Sequence, residues 1–293
     1  MYNTALESYW GDIMVRFVTI LLAAFAASLG AAQAQSDLVA RGGYLVNTIM
    51  TCQNCHTPIG PAGPQFDKAL SGGLEFDEPP FKVTAANITQ DKETGIGNWT
   101  DAQIKTLLRT GKRPNGVPIA AVMPTGFYGI ITERDMDAIV AYLRTVKPIK
   151  NKVPDPIYKF PASPQVFPGS EKPYTEAMLK DPLKNGFYLA TIGHCMECHT
   201  PMPKGVHNWA DLGTGGFEFP GPWGVSVSRN ITPSKTKGIG AWTDAQIKTA
   251  ITTGVDKDGN HLKPPMGFGY YAHMTDADLN DVIAYLRTVP AKD

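Results

Sequence analysis

The chain contains one sequence unit twice, and the second copy follows the first at an offset of 143 residues. Aligned without gaps, residues 41–146 and 184–289 are identical at 42 of 106 positions, and the strings W-T-D-A-Q-I-K-T and A-Y-L-R-T-V recur unchanged. A duplication of this kind requires both copies to adopt the same fold. It also provides an internal alignment, in which residues that serve a shared purpose are paired. One such pair is Gly43 and Gly186, which we expect to permit close contact between the first and last helices of each copy.

Each copy is predicted to consist of about three short helices and long loops. The chain has 29 glycines and 24 prolines, which favour turns. The first helix is expected at Asp37–Ile49, where apolar residues recur at helical spacing. A capping-box pattern predicts a helix from Thr100 to Gly111 and its twin from Thr243 to Gly254. A third helix is predicted from Thr132 to Val146, with a twin from Thr275 to Val289. No convincing alternating strand pattern is visible, so the predicted fold class is mainly α.

All four cysteines lie in two C-x-x-C-H motifs at equivalent positions of the two copies. This motif is the attachment signature of c-type haem. Two intervening residues allow both sulfurs to reach the two vinyl groups of one haem, and the next histidine then faces the iron. The sequence therefore predicts two covalently attached haem c groups. The attachment residues are Cys52, Cys55, Cys195 and Cys198, and the proximal iron ligands are His56 and His199.

Other uses of these cysteines are weaker. A thioredoxin-like C-x-x-C site requires a parallel-sheet pattern around it, and none is visible. A zinc site is conceivable from four cysteines and two histidines, but each copy by itself offers only three ligands. Disulfides within the motifs would leave both histidines unexplained.

The internal alignment also selects a ligand for the opposite side of each iron. Met123 and Met266 are the one pair of methionines at the 143-residue offset, and each follows its motif histidine by 67 residues. Both lie in loops rich in proline and glycine, which suit a thioether held against iron. The alternative is that they fill core space, the commoner role of methionine. Four histidines lie outside the motifs, and none of them has a histidine at the equivalent position of the other copy. They are His194, His207, His261 and His273.

Two further pairs are candidates for binding the haem propionates. Trp99 and Trp242 would use the indole N–H, and Asn87 and Asn230 would use the side-chain amide. Packing of the loop or capping of a turn is an equally open role for all four. No catalytic residue is predicted.

Residues 1–34 have the pattern of a cleavable export signal. A basic start at Met14 is followed by a largely apolar core at Phe17–Leu29 and a small-residue cleavage site that ends at Ala34. Acidic residues precede Met14, which makes Met14 the predicted true start. The apolar core is too short to span a bilayer. The mature protein is therefore expected in the periplasm, with at most a peripheral association with the membrane.

The segment between the copies differs from both in composition. Residues 147–183 contain eight prolines, a density that favours stiff, extended chain over a long helix. We interpret the segment as a linker across two domains, 35–146 and 184–293, and a partner-docking strap is the alternative. Lys plus Arg equals Asp plus Glu at 27 each, so the basic surplus of a nucleic-acid-binding protein is missing.

The order of the motifs resembles the class I cytochrome c domain. A helix precedes C-x-x-C-H, and N-I-T, G-I-G-x-W-T-D, the methionine loop and a helix with A-Y-L-R follow. In particular, the chain resembles the c-type cytochrome subunits of bacterial alcohol, aldehyde and gluconate dehydrogenases and their free di-haem relatives. The resemblance implies two class I cytochrome c domains joined by the Pro-rich linker. It also implies a dehydrogenase as electron donor and a cytochrome or an oxidase as acceptor.

Two classes of function follow from these features. The first is a non-enzymatic electron carrier with His/Met ligation at both irons, which raises the potential and keeps small ligands away. The second is a di-haem peroxidase, which requires one iron with an open or displaceable sixth position. The symmetric methionines argue against a peroxidase, although His207, His261 and His273 keep it open. Haem-based sensing is a third, minor alternative.

Overall fold

The structure is a computed structural model, and it describes residues 30, 32–160, 164–221 and 223–293. The predicted signal peptide at 1–34 and the predicted start at Met14 lie outside the described residues, except for 30 and 32–34. Pro161 of the connecting segment lies outside them as well. Among the described residues, no helix is both long and apolar enough to cross a membrane.

Helices are the main elements of the described chain, in agreement with the predicted fold class. In and around the first copy they are α1 (32–44), α2 (Cys52–His56), α3 (Asp101–Thr110) and α4 (Glu133–Thr145). A π-helical turn at Leu45–Ile49 continues α1. In and around the second copy they are α5 (Pro182–Ile192), α6 (Cys195–Cys198), α7 (Asp244–Thr253), α8 (Phe268–Tyr271) and α9 (Asp276–Leu286).

Short antiparallel strands are also present, so the expectation of no strands was wrong. The strands are β1 (Ile59–Gly60), β2 (Gly63–Pro64), β3 (Glu75–Glu78), β4 (Phe81–Thr84), β5 (Ile157–Tyr158), β6 (Glu218–Gly221) and β7 (Gly224–Val227). β1 pairs with β2, β3 with β4, β4 with β5, and β6 with β7. Only β4 alternates between buried and half-buried residues, with Phe81 and Val83 facing inward. Four residues are too few for a period-2 pattern to stand out from the sequence.

The predicted capping boxes are confirmed in both copies. The Thr100 hydroxyl accepts a hydrogen bond from the Gln103 N–H at 3.2 Å, and the Gln103 side chain accepts one from the Thr100 N–H at 2.8 Å. Thr243 and Gln246 repeat the arrangement at 3.2 and 2.9 Å. Both helices end at a glycine in the left-handed region, as predicted. The predicted third helix also forms in both copies, but α9 ends three residues before the predicted Val289.

The first helix of each copy crosses the last helix in close contact, but the glycines responsible are not the aligned pair. A Cβ atom on Gly186 would lie 1.9 Å from the Asp281 carbonyl oxygen, and one on Gly42 would lie 1.8 Å from that of Ala138. A Cβ on Gly43 would meet only the Tyr142 ring, at 3.1 Å. Gly42 and Gly186 are 144 residues apart rather than 143. The π-helical turn that follows α1 accommodates one extra residue, so the first helix is displaced by one position in the ungapped alignment.

The two copies bind each other through a reciprocal pair of tyrosine–aspartate hydrogen bonds. Tyr44 on α1 donates to Asp278 on α9 at 2.5 Å, and Tyr188 on α5 donates to Asp135 on α4 at 2.7 Å. The two aspartates occupy equivalent positions, and the two tyrosines differ by the same one-residue displacement as the glycines. Arg41 adds a bidentate ion pair to Asp135 at 2.8 and 2.7 Å. One continuous hydrophobic core extends from the first copy into the second.

The connecting segment contacts both copies. β5 adds a third strand to the β3–β4 hairpin. Farther along, the Phe167 N–H donates to the Gly126 carbonyl at 3.1 Å, and the Phe167 ring stacks on Phe127 with centroids 5.2 Å apart. The same ring packs edge-on against Trp209 of the second copy at 5.3 Å. The segment therefore fills an aromatic contact between the two copies.

Candidate haem sites

Each C-x-x-C-H motif forms a single short helical turn, α2 or α6, with both cysteines on one side. The residue before each turn, Thr51 or His194, has left-handed backbone angles with φ of 47° and 45°. The carbonyl oxygens of Thr51 and His194 accept from the third residue of the motif at 2.8 and 3.0 Å. Because left-handed geometry is unfavourable for both residue types, its presence in both copies shows that the surrounding fold imposes it.

The ring of each motif histidine is oriented by a backbone carbonyl. His56 Nδ1 lies 2.6 Å from the Ala86 oxygen, and His199 Nδ1 lies 2.6 Å from the Arg229 oxygen. Burial lowers the pKa of both rings, so both are neutral imidazoles near pH 7. A donor Nδ1–H that is fixed in this way leaves Nε2 available to a metal. The chemistry of each donor set therefore fits a covalently attached haem, with two thiols and an oriented imidazole.

The cysteine thiols do not have the character of a thioredoxin-like site. Burial raises the pKa of Cys52 to about 12 and that of Cys195 to about 11, and it holds the pKa of Cys198 well above its ordinary value. Burial, and after it the charge of Glu197, raises the pKa of Cys55 to about 12. Reactive C-x-x-C pairs require the opposite shift.

The structure separates Met123 and Met266 from the methionines of the core. Met136, Met196 and Met50 are at most 2% exposed and fill core space. Met123 and Met266 are only half-buried, and each lies in a loop just before a helical turn, Thr125–Phe127 or α8. Their roles as iron ligands stay predictions.

The paired asparagines fasten the chain that follows the last helix of each copy. Asn87 Nδ2 donates to the Ile149 carbonyl at 2.8 Å and to Thr94 Oγ1 at 3.0 Å, and its Oδ1 accepts from Thr89. Asn230 Nδ2 donates to the Lys292 carbonyl at 2.7 Å, and Lys292 occupies the position equivalent to Ile149. The sequence reasoning missed this clamp, although N-I-T recurs at the duplication offset. The propionate contact of both asparagines stays a prediction.

The paired tryptophans are positioned through their backbone carbonyls. Arg144 Nη2 donates to the Trp99 carbonyl at 2.5 Å, and Arg287 Nη2 donates to the Trp242 carbonyl at 2.6 Å. Both arginines belong to the repeated A-Y-L-R string, whose role was not predicted. Within the described chain neither indole N–H makes a hydrogen bond, and the propionate contact of both tryptophans stays a prediction.

The three unpaired histidines of the peroxidase alternative lie in different surroundings. The His207 ring stacks on Trp209 with centroids 4.4 Å apart, and its Nε2 lies 3.0 Å from the Glu197 carbonyl oxygen. His261 and His273 are exposed. His207 therefore supports the backbone of the second motif from the side of the aromatic contact.

The two motifs lie next to each other where the copies meet. A Cβ atom on Gly193, just before the second motif, would lie 3.2 Å from the Ile49 carbonyl oxygen. The Asn54 side chain of the first motif donates to the Pro265 carbonyl of the second copy at 3.1 Å. The sequence left the relative placement of the motifs open, and the structure brings them together.

Comparison with known proteins agrees with the duplication. The chain matches the protein-family model described as Cytochrome c over residues 39–147 and again over residues 183–290. Together these stretches cover well over half of the chain.

Three relatives illustrate the similarity. The chain is 32% identical over 279 residues to the fructose dehydrogenase cytochrome subunit of Gluconobacter japonicus, which covers 89% of this chain and 54% of that protein. It is 31% identical over 299 residues to the cytochrome c subunit of the quinone alcohol dehydrogenase of Gluconacetobacter polyoxogenes, covering 93% and 61%. It is 28% identical over 251 residues to a diheme cytochrome c-type protein of Cereibacter sphaeroides, covering 82% of each. The chain thus spans little more than half the length of the two dehydrogenase subunits.

Proposed function

The chain belongs to the cytochrome c family, and from that premise we propose that it is a periplasmic di-haem electron carrier with no catalytic site of its own. Its cofactors are two covalently attached haem c groups, which the cysteine pairs Cys52/Cys55 and Cys195/Cys198 fit. One observation supports the proposal above all others. Both copies hold the motif histidine neutral and oriented, with Nδ1 2.6 Å from a backbone carbonyl oxygen.

We assign His56 and Met123 to the first iron, and His199 and Met266 to the second. The support is that both methionines are paired in the duplication and lie outside the fully buried core. Met136, in contrast, is fully buried and has leucine as its counterpart. With a histidine and a thioether as its ligands, each iron would have a raised potential and no open position for a small ligand.

When bound, a haem c iron of this kind supplies one-electron exchange between its ferric and ferrous states. The chain contributes fixed ligands, so little rearrangement accompanies the change of charge. The Ala86 and Arg229 carbonyls hold the imidazole rings in one orientation. Arg144 and Arg287 hold the tryptophan loops in place. The contact between the two motifs supports electron exchange between the two haems of one molecule, as opposed to two domains that act independently.

The proposed donor is a dehydrogenase, and the proposed acceptor is a cytochrome or an oxidase. The support for the donor is the similarity to cytochrome subunits of fructose and alcohol dehydrogenases. The proposed periplasmic location depends on the predicted export signal of residues 1–34, and any membrane association would be peripheral. The proposed domains are 35–146 and 184–293, with 147–183 as the linker between them.

The test is an optical and magnetic spectrum of the oxidised holoprotein, with haem quantified per chain. We expect two low-spin haems per chain, both with the long-wavelength sulfur-to-iron band. Met123→Ala and Met266→Ala should each remove the band of one haem only, and Met136→Leu serves as the control that leaves both. A high-spin haem in the unaltered protein, or one without the sulfur band, would contradict the carrier assignment and favour a peroxidase.

A further inference from the structure

The methionine loop of the second copy is held by the haem-attachment motif of the first. Asn54 is the third residue of Cys52-Gln-Asn-Cys55-His56, and its Nδ2 donates to the Pro265 carbonyl at 3.1 Å. Pro265 is the residue immediately before Met266. A single hydrogen bond therefore links the attachment turn of one haem to the proposed iron ligand of the other.

The Met266 loop has few internal hydrogen bonds with which to hold itself. Two consecutive prolines, Pro264 and Pro265, contribute no N–H donors. In the described chain, the nearest backbone hydrogen bonds of the loop run from Leu262 to Gly254 at 2.7 Å and from Phe268 to Met266 at 3.0 Å. The stretch between them therefore depends on side chains from outside for its position.

Packing presses the same stretch against the first motif. Gly267 is buried, and a Cβ atom added to it would lie 3.4 Å from the methyl group of Thr51. Thr51 precedes α2 and has left-handed backbone angles. The loop thus contacts the first motif on both sides of Met266, by a hydrogen bond at Pro265 and by packing at Gly267.

The first copy holds its methionine loop differently. Met123 donates its N–H to the Ala120 carbonyl at 3.0 Å, and this bond has no counterpart at Met266 in the described chain. The bond from the Thr125 N–H to the Met123 carbonyl at 2.7 Å, in contrast, matches the one from Phe268 to Met266. The connecting segment adds the bond from Phe167 to Gly126 at 3.1 Å. The residue equivalent to Asn54 is Glu197, whose side chain lies 3.2 Å from His194 of its own copy. The dependence on the opposite motif is therefore specific to Met266.

We propose that Asn54 is a positioning residue for Met266, so that the potential of the second haem depends on the attachment turn of the first. This inference depends on the proposed function, in which Met266 binds the second iron. The asparagine acts through the Pro265 carbonyl and keeps the thioether sulfur within reach of the metal. Loss of one hydrogen bond of ordinary strength raises, about fivefold, the population of molecules in which Met266 is not bound to the iron.

Asn54→Leu tests the proposal, because leucine has the same branched shape and number of side-chain heavy atoms and cannot donate. The variant is best measured in the full-length holoprotein with Met123→Ala, so that the remaining sulfur-to-iron band comes from the second haem alone. We expect that band to weaken and the potential of the second haem to fall. Asn54→Gln, which retains an amide donor, should restore much of the band.

The matched control is Gln53→Leu on the same helical turn. Gln53 donates to Asn47 within the first copy at 2.7 Å and makes no hydrogen bond to the second copy among the described residues. The Gln53→Leu variant should leave the sulfur-to-iron band and the potential of the second haem unchanged. An Asn54→Leu protein with an unchanged band and potential would overturn the proposal while leaving the carrier function intact. If Met123→Ala already lacks any sulfur band, Met266 is not a ligand, and both the ligand assignment and the role of Asn54 are wrong.

Discussion

Replacement of Asp135 by asparagine should destabilise the protein far more than the same change at the equivalent Asp278. Asp135 is 1% exposed, and its carboxylate binds Arg41 through two hydrogen bonds and Tyr188 of the other copy through a third. Asparagine has the same size but no charge, so the Arg41 guanidinium loses its partner. Asp278 is half-buried and accepts from two neutral groups, Tyr44 and Asn185.

The magnitude follows from the burial of the pair. Removal of one partner from a fully buried ion pair costs about 3–5 kcal/mol. The Arg41 side chain is 26% exposed and retains part of its hydration, so we expect a loss of about 3 kcal/mol for Asp135→Asn. For Asp278→Asn, where hydrogen bonds to neutral donors are weakened, we expect about 1 kcal/mol.

Urea and thermal unfolding of the holoprotein, followed by circular dichroism and haem absorption, measure both losses. For a chain of this size, a loss of about 3 kcal/mol lowers the melting temperature by roughly 6–12 °C. An Arg41→Ala background should reduce the cost of Asp135→Asn, because the carboxylate then has no cation to lose. Equal costs at the two aspartates, or no reduction in the Arg41→Ala background, would refute the argument from the buried charge.

Three further predictions concern the helix contact, the tyrosines and the asparagine clamp. Gly42→Ala should destabilise by about 3 kcal/mol or prevent folding, because its Cβ would overlap a carbonyl of α4, whereas Gly43→Ala should cost under about 1 kcal/mol in the same unfolding assay. Burial, and then the hydrogen bond to Asp278, raises the pKa of Tyr44 to about 12 from about 10 when unfolded. Its contribution to stability is therefore present below pH 10 and lost as the pH rises through 12, and Tyr44→Phe should flatten this alkaline loss in pH-dependent unfolding. Asn87→Leu should cost about 2 kcal/mol and Asn230→Leu less, because Asn87 is 2% exposed and leaves more buried partners unsatisfied; hydrogen exchange of the chain after each last helix would show the same order.

The sequence allowed accurate prediction where the signal and the structure it specifies lie within the same few residues. The capping boxes at Thr100 and Thr243 depend on three neighbouring residues and form as expected. The haem cofactors were predicted from the C-x-x-C-H motifs, whose spacing is set by the chemistry of haem attachment. The short hairpins were missed because strands of two to four residues are too short for a period-2 pattern to be recognised, and in β7 three of the four residues are exposed and none is buried.

Residues that act over long sequence separations were beyond the reach of pattern analysis. The Ala86 carbonyl that orients His56 comes from 30 residues away, and any residue type supplies a carbonyl. The displacement of the first helix was invisible for another reason. Gly42 and Gly43 are adjacent, and an ungapped alignment selects Gly43, whereas the π-helical turn at Leu45–Ile49 places Gly42 in the contact.

The duplication therefore identifies the site residues that the two copies share better than it identifies the contacts that hold those residues in place. Both copies keep a motif histidine and its carbonyl partner, and the paired methionines are the proposed ligands on the other side. The supports differ, because each copy has a different neighbour: Phe167 of the connecting segment packs against the Met123 loop, while Asn54 of the first copy holds the Met266 loop. The two copies also pack directly against each other, through the reciprocal tyrosine–aspartate hydrogen bonds and the continuous hydrophobic core. If the two domains were joined only by a linker, the separation of their haems would vary. This interface instead fixes the two attachment turns side by side. Electron exchange within one molecule requires such an arrangement.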